Sequence, residues 1–212
     1  MGRRRAGGGG RRREEDGLAG NMGTAEAEGQ ATKGREWELR GALEKSQKAF
    51  GRLPGLHKVL AESPQAYEAY QLLHKLFTET DFDADELTVV WQAINVEHSC
   101  HYCVPAHTGI AKMMKVSDDI TDALRNETPL PTAKLEALRS FTIQMVRERG
   151  NATDAQIETF FAAGYSHRAV LDVILGIAQK TMSNYINHVA VTPVDEVFHP
   201  LTWQRGATPL EI

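Results

Sequence analysis

The stretch Asp83-Ala-Asp-Glu86-Leu-Thr-Val-Val-Trp91-Gln-Ala-Ile-Asn95-Val-Glu97-His-Ser-Cys100-His-Tyr-Cys103-Val-Pro-Ala-His107 contains a helix start, a helix, and then the one crowd of reactive side chains in the 212 residues. Asp83 and Glu86 have capping-box spacing: the Asp carboxylate accepts from the backbone at Glu86, and the Glu carboxylate reaches back. Leu87, Val90, Trp91 and Ile94 follow at helical period. Pro105 has no amide hydrogen and fits without a kink in the first turn of a helix. A second helix is therefore predicted to start near His101 to Cys103. Cys100 then sits at its positive end, where the dipole and free amides favour a thiolate. Cys103 and His107, four apart, share one face, and Glu97 closes the preceding helix.

Outward from this stretch the same punctuation recurs. Ser63-Pro64 reads as N-cap and first helical residue ahead of the stripe Tyr67, Tyr70, Leu73, Leu76, Phe77. A short helix about Leu56, Val59 and Leu60 precedes it, and a looser set, Leu39, Ala42, Leu43 and Phe50, precedes that. Beyond the cysteines, Ser117 starts a short helix and Thr128-Pro-Leu-Pro131 is a loop. Leu135 to Val146 form a long helix, Thr153 and Gln156 a second capping box, and Ser166 opens the last helix, through Ile177 to His188. No stretch alternates as a strand and no repeat is visible. The fold class is all-α, a bundle of about seven or eight helices. The domain plan is a disordered extension over 1–34, a helical domain over 35–200 and a C-terminal tail over 201–212. The Pro-punctuated segment from Thr192 is expected to pack on a neighbour.

With 42% hydrophobic residues the chain can build a core without metal or disulfides, so its two cysteines are free for chemistry. A net charge of -4 gives no global attraction to nucleic acid or anionic membranes. No run approaches the roughly 18 to 20 apolar residues that span a bilayer. The first 33 residues, rich in Gly, Arg, Ala and Glu, have almost no large apolar side chains, and disorder is expected there. Arg3-Arg4-Arg5 and Arg11-Arg12-Arg13 suggest a tail or transit peptide, but no apolar region follows and Glu14-Glu15-Asp16 breaks the acid-poor pattern. A dispensable extension, with Met22 as a start, is the favoured reading. A reducing cytoplasm is the expected compartment, where Cys-x-x-Cys is more often redox-active or metal-binding than structural.

Cys100, Cys103, His107 and an acid nearby each have a job in thiol redox chemistry. A thiolate attacks a peroxide or disulfide, a base takes the thiol proton, and a carboxylate orients the base. The second thiol then closes a disulfide, which prevents over-oxidation, and an external dithiol, protein or lipoyl-type, reopens it. The rivals are zinc, held by Cys100, Cys103 and His107 with His98 or His101, and two inert buried thiols. The usual second ligand pair of a structural zinc site is missing. Glu86 is a capping residue or a relay group, His188 a satisfied polar or interface residue, and Trp91 core. His57, His74, His167 and His199 are read as surface residues.

These residues also carry a resemblance. Glu86-Leu through Ala93-Ile-Asn95 to Cys100-His-Tyr-Cys103-Val-Pro-Ala-His107, with Tyr185-Ile-Asn-His188 and Thr192-Pro-Val-Asp195, is similar to the alkyl hydroperoxidase D-like (AhpD-like) branch of the carboxymuconolactone decarboxylase superfamily. The resemblance covers roughly residues 36 to 200. It implies a helical fold in dimers, trimers or hexamers, and peroxidase or thiol-disulfide oxidoreductase activity on hydroperoxides, without cofactor or metal. It assigns peroxide attack to Cys103, resolution to Cys100 and the relay to His107. The relay carboxylate falls on Glu86, with a spacing longer by about two residues, or on Glu97, one turn before Cys100. Tyr102 stands where the best-known members have a histidine. The superfamily's other branch, a lactone-acid decarboxylase, does not rely on a cysteine pair, so retention of both thiols favours the redox branch. A zinc-binding scaffold or a cofactor-free decarboxylase on the same fold is the alternative.

Overall fold

The computed structural model describes residues 40–41, 43–48 and 51–206. The expectations for the extension over 1–34 lie outside them, as does most of the first loosely periodic segment; within that segment, 43–48 are helical. Eight α-helices follow: α1 (Gly55–Leu60), α2 (Pro64–Thr78), α3 (Ala84–Glu97), α4 (Cys103–Met113), α5 (Asp118–Asn126), α6 (Ala133–Arg147), α7 (Asp154–Ala162) and α8 (His167–Ala190). A 3-10 helix, Glu196–Leu201, closes the order. Among the described residues there is no strand.

Short polar side chains start most of these helices by accepting orphan backbone amides, each such cap being worth about 1 kcal/mol. Ser63 accepts from the Ala66 amide at 3.4 Å, with Pro64 in the first turn. The capping box of α3 is complete: the Glu86 amide donates to Asp83 Oδ1 at 2.9 Å and the Asp83 amide to Glu86 Oε2 at 3.1 Å. Thr153 and Gln156 form the second box on α7. Ser117, Thr132 and Ser166 cap α5, α6 and α8. Gly164, at φ +96°, takes the left-handed turn between α7 and α8.

α3 is the central helix. Every residue from Glu86 to Val96 is buried, and α3 packs against α4, α5, α6 and α8. Its apolar part joins Phe77, Leu138, Phe141, Phe160 and Val173 in the main core. A smaller cluster around Leu56, Tyr67, Tyr70, Cys103 and Phe198 encloses the thiols. After α8 the chain turns at Val191, φ +48°, and lays the 3-10 helix along α4. The segment from Thr192 therefore packs on its own chain: Phe198 is buried there, and the Trp203 indole N–H donates to the Arg125 carbonyl at 2.9 Å. Among the described residues no single helix is long and apolar enough to cross a membrane.

Gly176 sets how closely α8 approaches α2 and α3, because a Cβ there would lie 2.7 Å from Phe77 and 2.8 Å from Val90, both buried. Alanine would gain up to about 1 kcal/mol of helix propensity, but overpacking typically costs about 1–3 kcal/mol. Gly176→Ala should therefore lower the urea midpoint with an unchanged slope; an unchanged or raised midpoint would show that the core yields there.

Candidate functional site

The turn between α3 and α4 brings the two cysteines together. Ser99, at φ +53°, reverses the chain after α3, and the Cys100 amide bonds the Asn95 carbonyl at 2.9 Å. α4 then begins at Cys103, whose amide donates to Cys100 Sγ at 3.3 Å. The free amide expected at this helix start is thus spent on the first sulfur. Both thiols are free and buried, Cys100 at 0% and Cys103 at 2% exposure. Pro105 occupies the first turn of α4, and His107 follows on the same helix.

α8 faces these groups with Gln179, Lys180, Ser183, Asn184 and Asn187, all buried. Asn187 Nδ2 donates to Cys103 Sγ at 3.2 Å. The Lys180 ammonium donates to His107 Nε2 at 2.8 Å, which leaves the neutral ring's own proton on Nδ1. That Nδ1 has no hydrogen-bond partner among the described residues. Asn184 is fixed from two sides, accepting from His98 Nδ1 and donating to Asn95 Oδ1, each at 2.9 Å. Asn95 in turn donates to Gln92, which donates to the Val104 carbonyl and Thr108.

Electrostatics separate the two thiols. Burial pushes Cys103 up, but the hydrogen bond from Cys100, the Lys180 charge and the amides of Asn184 and Asn187 together outweigh it and hold Cys103 well below an ordinary thiol. Cys100 is held high, first by the proton it shares toward Cys103 and then by burial. Burial, then Lys180 and His74, hold His107 far below the usual imidazole value, so it is neutral at neutral pH. Burial also lowers Lys180, while Cys103 and Cys100 pull it back up.

Cys103, His107 and Lys180 share a cavity of about 110 Å³ with Tyr70, His74 and Tyr102. Its rim is tied by Asp195, which accepts from Arg52 at 2.8 Å, from the Gly55 amide at 2.9 Å and from the Tyr102 hydroxyl at 2.9 Å. Tyr102 is therefore a structural strut: its hydroxyl also accepts from the Leu56 amide at 3.2 Å.

The structure brings Cys100, Cys103 and His107 to one place and puts neither carboxylate beside them. Glu86 is held in its capping box and paired with Lys134 at 2.8 Å. Glu97 is turned the other way by Arg147, whose Nε and Nη2 each donate at 2.8 Å, and its carboxyl is lowered chiefly by that contact. It lines a separate charged groove between α3 and α6. His98 and His101 bond Asn184 and the Thr192 carbonyl. Among the described residues no three His, Cys, Asp or Glu side chains are arranged to hold a metal ion.

Two histidines expected at the surface are not there. His57 is buried between Tyr67 and Tyr70 with Ser46 Oγ at 2.6 Å. His74 is stacked between Tyr70 and Trp91 and accepts from Gln179 at 3.0 Å. His167, His188 and His199 are exposed. Trp91 is core, as expected, and also packs on His107 with 4.9 Å between ring centroids. Neither Lys180 nor Asn187 was expected at the site from the sequence. Their signal was a polar row at helical spacing, residues 180, 183, 184 and 187, where an apolar stripe should continue.

No family model matches the chain, and no curated protein matches it in sequence. Solved structures do match in shape. The alkylhydroperoxidase AhpD core structure of an uncharacterized peroxidase-related protein from Ralstonia eutropha JMP134 superposes with a TM-score of 0.69 at 18% identity, over 76% of this chain and 87% of that one. An uncharacterized peroxidase-related protein from Silicibacter sp. TM1040 gives a TM-score of 0.67, again at 18% identity with 76% and 87% covered. The chain thus has the all-α AhpD-like fold.

Proposed function

We propose that this protein is a thiol-dependent peroxidase, or disulfide oxidoreductase, working through a dithiol-disulfide cycle at Cys100 and Cys103. The observation that carries this is the asymmetry of the pair. Cys103 is stabilised as a thiolate and lines the cavity, whereas Cys100 is fully buried behind it with its proton retained. A hydroperoxide entering the cavity meets Cys103 first. The likeness to peroxidase-related structures agrees with this chemistry.

In this scheme Cys103 Sγ attacks one peroxide oxygen; the S–O bond forms, the O–O bond breaks, and the alcohol leaves once protonated. Cys100 Sγ then attacks Cys103 Sγ, forming the disulfide and releasing water. A dithiol, protein or lipoyl-type, restores both thiols by exchange through the same cavity. The narrow cavity and its aromatic walls suit a small organic hydroperoxide. His107, neutral and with Nδ1–H unpartnered among the described residues, is placed to donate to a bound peroxide oxygen. The exposed apolar row Leu171, Ile174, Tyr185 and Val189 on α8 supports assembly into a homo-oligomer, dimer, trimer or hexamer.

A stoichiometric dose of alkyl hydroperoxide should remove both free thiols together, and a dithiol should restore them. Cys103→Ser should reduce consumption to the uncatalysed background. Cys100→Ser should stop at a sulfenic acid that a dimedone probe traps. Turnover at the parent rate in Cys103→Ser would sink this function.

The pH behaviour is checked separately. Cys103 lies below an ordinary thiol, so its thiolate persists at neutral pH and is lost as pH falls through the folded value. Alkylation rate is a poor gauge, since nucleophilicity falls with pKa by a Brønsted slope of about 0.4–0.5. Thiolate ultraviolet absorbance should instead show one ionised thiol in the reduced protein at neutral pH, absent from Cys103→Ser. An equal signal in both proteins would reject the assignment.

A further inference from the structure

We propose that Lys180 is the proton donor of this site, an ammonium while Cys103 is a thiolate and a neutral amine once the disulfide has formed. The proposal rests on the dithiol cycle above and adds where its proton comes from and how the charge of the core follows the redox state.

Lys180 is 1% exposed, in the middle of α8. Moving an ammonium out of water costs several kcal/mol even after the protein relaxes, unless an anion sits beside it. The titratable groups facing Lys180 are Cys103 and His107 on α4, Cys100 in the turn before it and His74 on α2; Tyr70, also on α2, faces Cys103. Among the described residues none is a carboxylate: Glu86 is engaged by Lys134, Glu97 by Arg147, and Asp195, at the cavity rim, by Arg52, the Gly55 amide and the Tyr102 hydroxyl. The sulfur of Cys103 is therefore the anion that keeps Lys180 charged. Oxidation removes that anion. What is left is a buried cation among neutral His107, His74 and a disulfide, an arrangement that expels a proton.

The proton has a destination. The reduced site holds one thiolate, one thiol and one ammonium. Attack of the thiolate on the hydroperoxide breaks the O–O bond and leaves an alkoxide-like oxygen, which takes the Lys180 proton to leave as the alcohol. His107, bonded to Lys180 Nζ at 2.8 Å, lines the same cavity and hands the proton on, accepting at Nε2 and releasing from Nδ1. The Cys100 thiol then displaces hydroxide from the sulfenic sulfur, and its proton completes the water. The products are disulfide, alcohol, water and amine. Hydrogen and charge balance with nothing drawn from solvent. When a dithiol reduces the disulfide, the amine takes back a proton as the thiolate reappears.

The test is a proton count on the full-length reduced protein in weakly buffered neutral solution. A pH indicator, thiolate absorbance and free-thiol titration are read together during stoichiometric oxidation. The expected result is a thiolate before oxidation, two thiols lost and no net proton uptake. Uptake of one proton per disulfide would mean that Lys180 stays charged and would overturn the proposal, as would the absence of a thiolate at the start. A small linear disulfide as oxidant gives the same count, since both leaving thiols carry protons. If that oxidant closes the ring without proton uptake while hydroperoxide leaves the thiols untouched, the peroxidase function fails and the Lys180 assignment stands.

Lys180→Arg keeps the charge but has no proton to give. It should retain the thiolate, take up one proton per disulfide and react with hydroperoxide roughly a hundredfold more slowly, the usual scale of a lost general acid. An Arg variant that takes up none would place the donor elsewhere. Lys180→Met should lose the thiolate, and the wild-type count decides the matter should either variant fail to fold.

Discussion

The structure depends on a polar seam buried between α3 and α8. Gln179 and Asn184 on α8 meet Trp91 and Asn95 on α3, and Lys180 and Asn187 on the same helix meet His107 and Cys103 on α4, all of them buried. Each hydrogen bond adds a net ~1 kcal/mol, whereas a buried group left unpaired costs ~1–3 kcal/mol. Slipping α8 by one residue would strand several groups at once, so the seam fixes its register more sharply than packing alone. Trp91 Nε1 to Gln179 at 2.8 Å and Asn184 to Asn95 at 2.9 Å are the pins. Gly176, one turn before Gln179, permits the close approach that these bonds need.

That register is what builds the site. With α8 locked, Asn187 Nδ2 falls on Cys103 Sγ and Lys180 Nζ on His107. The α3–α4 turn independently places Cys100 Sγ against the first amide of α4. The two thiols thus receive different neighbours from different parts of the chain: Cys103 gets amides and a cation, while Cys100 gets a backbone amide and keeps its proton. The proposed attacking and resolving roles rest on this placement, on sulfurs three residues apart.

Charges elsewhere follow an ordinary pattern. Exposed ion pairs of the kind Arg168 makes with Asp81 add little each. Asp195 matters more, because one carboxylate joins the start of α1, Tyr102 and Arg52 and so holds the segment after α8 against the cavity rim. Arg52 also lies over the Phe198 ring at 4.8 Å, which fastens the 3-10 helix on the same side.

Much of this was legible in the sequence. The capping boxes at Asp83/Glu86 and Thr153/Gln156, the N-caps Ser63, Ser117 and Ser166, and Pro105 in the first turn of α4 all act within four residues, and local chemistry is enough to decide them. The pairing of Cys100 with Cys103 and the position of His107 one turn on are local in the same sense. The partners were not legible, because they come from far along the chain: Lys180 meets His107 across 73 residues, Asn187 meets Cys103 across 84, and Asp195 meets Tyr102 across 93. The carboxylates show the limit most clearly. Glu86 and Glu97 are close to the cysteines in sequence, yet Lys134 and Arg147 on α6, folded against the other side of α3, hold them away. The sequence by itself determined the helices and the thiol pair, because those follow from hydrogen bonds inside a turn; only the tertiary structure decided that a buried lysine, and neither Glu86 nor Glu97, stands beside His107 and Cys103, because that depends on which face of α8 meets α4.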